Sequence, residues 1–289
     1  FRSHHNEQTF AVLFFFTIIT VSKAQSAKQT PITLGVTDEL TSSRLSEKRK
    51  LNIYLPEGYN ASDTTTYPVI YLLDGGLDED FIHIVGLVQF NTFPWVNRLP
   101  KSIVVGIVNI DRKRDFTFPT TVKSDKEKFP TTGGSEKFIS FLEDELQPYI
   151  QKHYRTNGSK TIIGESLGGL LATEILFKKL YLFNKYIIIS PSLWWDNGSI
   201  LNGSMVLSAT QPANDISVYL AVGKEGLTPG AKPRVMEVDA NLLAEKINAA
   251  QNKHINLIFD YLPDENHATI ADQAVLNAFK KLSEAKSRP

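Results

Sequence analysis

The chain has 289 residues, in which 31 Lys and Arg residues balance 31 Asp and Glu residues. With 42% hydrophobic residues, this is the composition of a globular protein, not of a disordered or fibrous chain. The zero net charge excludes the strongly basic surface typical of nucleic-acid binding proteins, so we expect no nucleic-acid partner. Because the chain has no cysteine, disulfides, thiolate-held metal clusters and a catalytic thiol are also excluded.

The N-terminal stretch is typical of a secretory signal peptide. Phe10–Val21 is uncharged, and as a helix it would span only about 18 Å, whereas a bilayer core is about 30 Å thick. Ser22-Lys23-Ala24 follows, with small residues at positions −3 and −1 of a cleavage site before Gln25. We therefore expect residues 1–24 to direct export to the periplasm or the extracellular space; the alternative is a buried apolar segment. No cysteine follows the apolar run, so we expect no membrane anchor after signal cleavage.

The remaining chain divides into a polar stretch and one folded domain. We interpret residues 25–47 as a linker and a first strand, and residues 48–289 as the domain itself. Apolar, β-branched runs bounded by turn residues predict strands, several of which lack alternation because both faces are covered. In chain order these runs are Leu51–Leu55, Val69–Leu73, Ile103–Ile110, Thr161–Ile163, Tyr186–Ile189, Ile216–Ala221 and Ile255–Leu262.

Two helices are predicted where apolar residues recur three or four positions apart. The first stripe is Ile139, Leu142, Leu146 and Ile150, and the second is Met236, Ala240, Leu243, Ile247 and Ala250. Early strands close together, followed by alternating strands and helices, favour an α/β fold. We expect a mostly parallel central sheet with an antiparallel start and helices on both faces.

A nucleophile motif follows the fourth of these strand runs. Gly164-Glu165-Ser166-Leu167-Gly168 has the pattern Gly-x-Ser-x-Gly, and a helical sequence continues after it. In a strand–turn–helix context this pattern forms a tight elbow that lifts the serine hydroxyl off the sheet. The glycines are needed because side chains at those positions would collide. We therefore predict Ser166 as a nucleophile; the alternative is an ordinary loop serine.

A serine nucleophile needs a histidine base, and chain order selects the candidates. In folds with this elbow the order is Ser, then acid, then His, so only His254 and His267 remain. His254 precedes the last predicted strand, whereas His267 follows it, at the edge where the serine lies. We predict His267 as the base and a solvated residue at His254.

The acid is expected in the loop after the preceding strand. Glu225 is the only carboxylate near the end of the run that starts at Ile216. Asp239 lies further on, in the predicted helix, and Asp215 lies at the wrong end of the strand. We predict that Glu225 orients His267, which fixes the imidazole tautomer and stabilises the imidazolium. The alternative is a solvated Glu225 and a Ser–His dyad.

An oxyanion formed at this serine needs two hydrogen-bond donors. One is predicted to be the backbone N–H of Leu167, next to the nucleophile. The other is expected after the strand that ends in Leu73-Asp74-Gly75-Gly76, where we predict Gly76, with Gly75 as the alternative.

These residues resemble the putative-esterase family of α/β-hydrolases. Members include siderophore (enterobactin-type) esterases, S-formylglutathione hydrolases, feruloyl and acetyl-xylan esterases and mycolyltransferases, and the chain is most similar to the periplasmic siderophore-esterase branch. The resemblance implies an α/β-hydrolase fold with residues 48–289 as catalytic domain, and Ser166 and His267 as catalytic residues. One departure is an inserted Phe118 between Thr117 and Pro119. The resembling segments are Arg49–Pro56, Tyr71–Gly75, Val104–Ile107, Arg114–Thr117, Gly164–Gly169, Ser190–Trp195 and Glu265–His267.

Four further side chains are candidates for substrate binding at the same sheet edge. Trp194, Trp195 and Phe116 could form an aromatic wall for an acyl or aryl group, or could simply pack. Arg114 could bind a carboxylate or catecholate, or could pair with Asp115. We find no ligand spacing for a metal and expect no cofactor.

Together these features predict an exported serine carboxylic-ester hydrolase that acts through an acyl-enzyme on a small-molecule ester. An acyltransferase and a non-catalytic binding protein on the same scaffold are the alternatives. The sequence leaves the individual ester and the oligomeric state open.

Overall fold

The computed structural model describes residues 27–202, 215–230 and 232–286. The predicted signal peptide, residues 1–24, lies outside the described residues. The chain divides into two units, residues 1–33 and 34–289. In the first, residues 27–33 have no regular secondary structure, and all strands and helices described below belong to the second.

The described residues form one eight-stranded sheet in the order β1-β2-β4-β3-β5-β6-β7-β8. β2 runs antiparallel to both of its neighbours, and every later pair is parallel. This is the predicted mostly parallel sheet with an antiparallel start. The strands are β1 Gly35–Ser42, β2 Glu47–Tyr54, β3 Tyr67–Leu72, β4 Ile103–Ile107, β5 Thr156–Glu165, β6 Lys185–Ile189, β7 Ile216–Gly223 and β8 Ile255–Leu262.

Helices cover both faces of this sheet, as the sequence predicted. The helices are α1 Phe81–Thr92, α2 Arg112–Phe116, α3 Lys123–Lys128, α4 Ser135–Phe141, α5 Gln147–His153, α6 Leu167–Lys178, α7 Trp195–Asn202, α8 Met236–Ala249 and α9 Ile270–Lys286. In β6, Tyr186 and Ile188 belong to the core under α4, α6 and α8, whereas Ile187 and Ile189 belong to the core under α1 and α9. This alternation explains the continuous apolar run in the sequence, because a strand covered on both faces needs apolar side chains on both.

A π-helical turn joins α4 and α5. It spans Leu142–Leu146 and precedes Pro148, which has no backbone N–H to donate to the previous turn. The four residues of the first predicted stripe are all buried on this continuous helix. The second stripe lies on α8, except for Ala250, which directly follows the helix.

One strand is shorter than the sequence suggested. The run Ile103–Ile110 predicted a strand to its end, but β4 ends at Ile107 and Ile110 is exposed. The reason is Asp111, whose side chain accepts a hydrogen bond from the Arg114 backbone N–H at 3.0 Å and so caps the start of α2. Because α2 begins at Arg112, the chain must leave the sheet before that cap.

Among the helices of the described residues, we find none with the length and apolar character needed to cross a membrane.

Candidate active site

Ser166 lies at a sharp turn between β5 and α6. Its backbone has φ 58° and ψ −115°. Residues other than glycine rarely adopt this conformation, and those that do are often found at functional sites. A Cβ atom at Gly164 would lie 2.4 Å from the Gly168 carbonyl oxygen, so the turn closes only with glycine there. The Ser166 N–H donates to the Ile189 carbonyl at 3.0 Å, and its carbonyl accepts from the Ser192 N–H at 2.9 Å. These contacts hold the serine at the carboxyl edge of the sheet.

The structure brings the three predicted catalytic side chains together. Ser166 Oγ lies 3.0 Å from His267 Nε2, and His267 Nδ1 lies 2.6 Å from Glu225 Oε2. Since a carboxylate only accepts hydrogen bonds, this contact places a proton on Nδ1 and leaves Nε2 free to accept from the serine hydroxyl. The Glu225 side chain is 2% exposed and that of His267 is 46% exposed, so the acid is buried and the base faces the solvent side of the site.

Glu225 is held in place by groups at the end of β7 and directly after β6. Its Oε1 accepts a hydrogen bond from the Gly223 N–H at 3.1 Å and another from the Ser190 hydroxyl. Burial raises the pKa of the Glu225 carboxyl, but the hydrogen bonds from His267, Ser190 and Gly223 outweigh it and leave the pKa below its ordinary value. Glu225 is therefore ionised at neutral pH. Ser190 directly follows β6, a position from which the sequence could have suggested it.

The pKa of His267 lies above its ordinary value. The largest cause is the hydrogen bond to Glu225; burial acts in the opposite direction, and the negative charge of Glu165 adds to the rise. A more basic imidazole is a stronger proton acceptor, but it is protonated up to a higher pH. Activity that needs neutral His267 should therefore rise with pH through this elevated pKa.

Glu225→Gln should lower kcat by roughly 10²- to 10⁴-fold and leave KM nearly unchanged. The carboxylate stabilises an imidazolium that exists only along the reaction path, so its loss affects the transition state and not substrate binding. Since the Glu225 charge raises the pKa of His267, the acid limb of the pH–rate profile should also move to lower pH.

Asp215→Asn is the control for this substitution, because Asp215 is exposed and pairs with His254 at 3.0 Å. Steady-state kinetics across pH check both variants. A Glu225→Gln enzyme with normal kcat and an unmoved acid limb would leave a Ser–His dyad.

The alternative acid and base are engaged elsewhere. Asp239 is buried and its carboxylate accepts three hydrogen bonds from the Arg234 guanidinium at 2.6–3.0 Å. His254 directly precedes β8, and the amino ends of parallel strands lie at the edge of the sheet opposite Ser166.

The backbone N–H groups predicted as oxyanion donors differ in whether they already donate a hydrogen bond within the protein. Leu167 is the first residue of α6, where backbone N–H groups have no acceptor within the helix. The Gly75 N–H donates to the Ile107 carbonyl at 3.0 Å, so this alternative donor is used by the backbone. The Gly76 N–H donates to Glu79 Oε2 at 2.7 Å, and Glu79 is only half-buried. Gly76 therefore becomes a free donor only when the Glu79 carboxylate moves away.

Two adjoining cavities open beside Ser166. The first has a volume of about 270 Å³ and is bounded on its apolar side by Trp194, Leu227, Pro229 and Met236. The second has a volume of about 200 Å³. Ser166 and Trp194 line both cavities, and Trp195 lines the second. Trp194 and Trp195 are thus placed at the site, with Trp195 also tied to the scaffold by its indole N–H, which donates to the Phe118 carbonyl at 2.8 Å.

Two of the predicted substrate-binding residues, Phe116 and Arg114, do not line the cavities. Phe116 is fully buried and makes an edge contact with Phe138 at 5.5 Å between ring centroids, because α2 packs on α4. The Arg114 guanidinium donates to both carboxylate oxygens of Glu47 at 2.8 and 3.1 Å and to Asp115 at 2.7 Å. Asp115 also pairs with the buried Arg49, so Arg114 serves a buried charge network instead of the cavity.

Arg112 and Lys113 line the second cavity in place of Arg114. The Arg112 guanidinium donates to the two carboxylate oxygens of Asp74 at 2.6 and 2.9 Å, and Lys113 Nζ lies 4.7 Å from the centroid of the Phe129 ring. Sequence reasoning missed both residues. The available signal was that Asp74 follows β3 and Arg112 follows β4, two neighbouring parallel strands whose ends meet at one edge.

The described part of the chain holds no group of three or more metal-ligating side chains that could bind a metal ion.

Comparisons with known proteins agree with this architecture. A family model described as "Putative esterase" matches residues 42–267. The ferri-bacillibactin esterase BesA of Bacillus subtilis is 29% identical over 280 residues, which cover 90% of this chain and 94% of that protein.

Two solved structures are similar over most of both chains. The IroE-like serine hydrolase of Shewanella oneidensis has a TM-score of 0.74 at 30% identity and covers 88% of this chain and 82% of its own. The BES protein of Bacillus cereus has a TM-score of 0.75 at 28% identity, and the match covers 88% of this chain and 98% of that protein. With its α/β-hydrolase fold, the chain belongs to the putative-esterase family.

Proposed function

We propose that this protein hydrolyses carboxylic esters through an acyl-enzyme on Ser166. The observation that carries the proposal is the chain of contacts from Ser166 Oγ to His267 Nε2, at 3.0 Å, and from His267 Nδ1 to Glu225, at 2.6 Å. Membership of the putative-esterase family supports ester hydrolysis independently of these contacts.

In the first half-reaction, Ser166 Oγ attacks the ester carbonyl while His267 Nε2 takes the hydroxyl proton. The carbonyl oxygen becomes an oxyanion, for which the N–H groups of Leu167 and, once Glu79 has moved, Gly76 are the donors. His267 then gives its proton to the leaving alkoxide, and the acyl group stays on Ser166. Throughout, the ionised Glu225 stabilises the imidazolium.

In the second half-reaction, water takes the place of the alcohol. His267 removes a proton from the water, the resulting hydroxide attacks the acyl carbonyl, and the second oxyanion forms in the same site. Collapse of this intermediate returns the proton to Ser166 Oγ and releases the carboxylic acid.

For the substrate we propose a siderophore-type ester with an aromatic, anionic acyl part. The Bacillus subtilis relative is named a ferri-bacillibactin esterase. In this chain, Lys113 supplies positive charge at one side of the cleft, next to the Arg112 guanidinium that is paired with Asp74. Trp194 supplies an aromatic wall near Ser166. Guanidinium and ammonium groups attract catecholate or carboxylate oxygens, and an indole face suits an aryl group.

A substrate panel tests this function. The purified protein is incubated with a catecholate trilactone, with and without iron, and separately with p-nitrophenyl, feruloyl and acetyl-sugar esters, and products are identified by mass spectrometry. We expect the trilactone to be opened with the highest kcat/KM. Failure to cleave any ester would contradict the proposal, and transfer to an added alcohol in place of water would assign an acyltransferase.

We also propose that residues 1–24 are removed during export. The uncharged run Phe10–Val21 and the small residues Ser22 and Ala24 support this. Mass spectrometry of the protein from its native host should find an N-terminus at Gln25; an intact N-terminal stretch would contradict export by this route.

A further inference from the structure

Glu165, the residue before the nucleophile, has a buried carboxylate oxygen that the mechanism above does not use. Its Oε1 has no hydrogen-bond partner among the described residues and lies 3.6 Å from His267 Nε2. That distance is too long for a hydrogen bond but within the range of an ion pair. Burying a carboxylate oxygen without a partner is costly, which points to a role for this carboxyl group beside His267.

The neighbouring cation does not neutralise this carboxylate by direct contact. Arg112 donates to the backbone carbonyl of Glu165 at 3.2 Å, while its other side-chain hydrogen bonds go to the Asp74 carboxylate. The Glu165 side chain therefore faces His267 as its nearest cationic partner once the imidazole is protonated.

We infer that Glu165 is a positioning residue for His267, a second carboxylate that faces the Nε2 edge of the imidazole while Glu225 holds Nδ1. The inference rests on the proposed function, since it concerns the same base. When His267 takes the Ser166 proton, it does so on Nε2, which lies 3.0 Å from Ser166 Oγ and 3.6 Å from Glu165 Oε1. The proton still goes to the leaving alkoxide, and Glu165 forms no covalent bond.

Burial and four charged groups have the largest effects on the titration of Glu165. Burial is the largest effect and raises the pKa of the Glu165 carboxyl; His267 and Arg112 lower it, and Asp74 and Asp80 raise it, with a net value of about 7. The negative charge of Glu165 in turn raises the pKa of His267. Ionisation of each group therefore shifts the pKa of the other, and the acid limb of the activity profile should be broader than a one-proton curve.

Glu165→Gln tests this inference because it removes the charge and keeps the size. The acid limb of kcat/KM should sharpen to a one-proton curve and move to lower pH by roughly 0.5–1 unit. The plateau kcat should fall by less than about tenfold, in contrast to the Glu225→Gln loss. Glu165→Asp keeps the charge on a shorter side chain, so its acid limb should lie between those of the wild type and Glu165→Gln.

Glu265→Gln is the matched control. Glu265 lies on the same loop as His267, but its carboxylate is not among the five largest influences on the pKa of His267, so this variant should keep a limb close to that of the wild type. Thermal unfolding of each variant establishes that it folds. An unmoved limb in Glu165→Gln, or a limb moved to higher pH, would overturn the inference.

A direct titration of His267 by NMR separates this inference from the proposed function. In a Ser166→Ala background, the imidazole resonances should report a lower pKa for His267 when the Glu165→Gln substitution is added. If the wild-type protein cleaves no ester, the proposed function fails while this titration still tests the contact. If esters are cleaved but the His267 titration is the same in both proteins, only the inference fails.

Discussion

Ser166→Ala is expected to reduce ester hydrolysis by roughly 10⁵-fold or more. In the proposed mechanism, the substitution removes the atom that forms the acyl-enzyme, and any residual rate would come from the oxyanion donors and binding. Stability should change little, because Ala keeps the Cβ and the backbone conformation at φ 58°. The hydroxyl contacts only His267 at 3.0 Å and Ser192 at 3.3 Å among the described side chains.

Ser192→Ala is the control, since its hydroxyl is the nearest other candidate nucleophile. Ser192→Ala should lower kcat by less than about tenfold, because a residue that only neighbours the nucleophile contributes far less to the rate than the nucleophile itself. Steady-state kinetics with a p-nitrophenyl ester, together with thermal unfolding, measure both effects. Hydrolysis by Ser166→Ala within about tenfold of wild type would contradict the nucleophile assignment.

His267→Ala should lower kcat by at least about 10³-fold, whereas His254→Ala should have little effect. In the proposed mechanism, His267 takes the proton of the serine hydroxyl and later gives it to the leaving alkoxide, so its loss affects both steps. His254 instead pairs with the exposed Asp215, at the opposite end of β8. Kinetics at a pH above the acid limb compare the two variants under conditions in which the base is neutral.

The reverse ranking of the two histidine variants would mean that the base had been assigned to the wrong end of the last strand. Equal losses in both would indicate damage to the fold, which thermal unfolding would detect.

The elements and the three central side chains were predictable because their signals are local or follow chain order. The spacing of Gly164 and Gly168 around Ser166 reflects the close approach of their own backbones. Glu225 and His267 each follow a parallel strand, and parallel strands deliver their carboxyl ends to one edge. Topology therefore brings residues far apart in sequence together without any detailed knowledge of packing.

The lining of the cleft was not predictable in the same way. Arg112 and Arg114 are two residues apart on one short helix, and which of them reaches the cavity depends on partners elsewhere. Arg114 forms an ion pair with Glu47, on β2, and no local sequence pattern predicts this contact. The same holds for Phe116, whose burial depends on Phe138.

The electrostatics of the base also depend on tertiary contacts. Glu165 occupies a variable position of the nucleophile motif, so the motif itself says nothing about its role. Only the approach of His267 Nε2 to within 3.6 Å of its carboxylate makes it relevant to catalysis. Glu79, which accepts from the Gly76 N–H, is a similar case at the oxyanion site.

Labelling with a fluorophosphonate is the most direct test of an acyl-enzyme on Ser166. The reagent transfers its phosphorus group to an activated serine, and the adduct can be located by mass spectrometry of proteolytic peptides. We predict one equivalent of label per chain, on the peptide that contains Ser166, with ester hydrolysis lost in proportion to labelling and no label in Ser166→Ala. Full ester hydrolysis by completely labelled protein, or a stoichiometric label on a peptide without Ser166, would contradict the proposed mechanism.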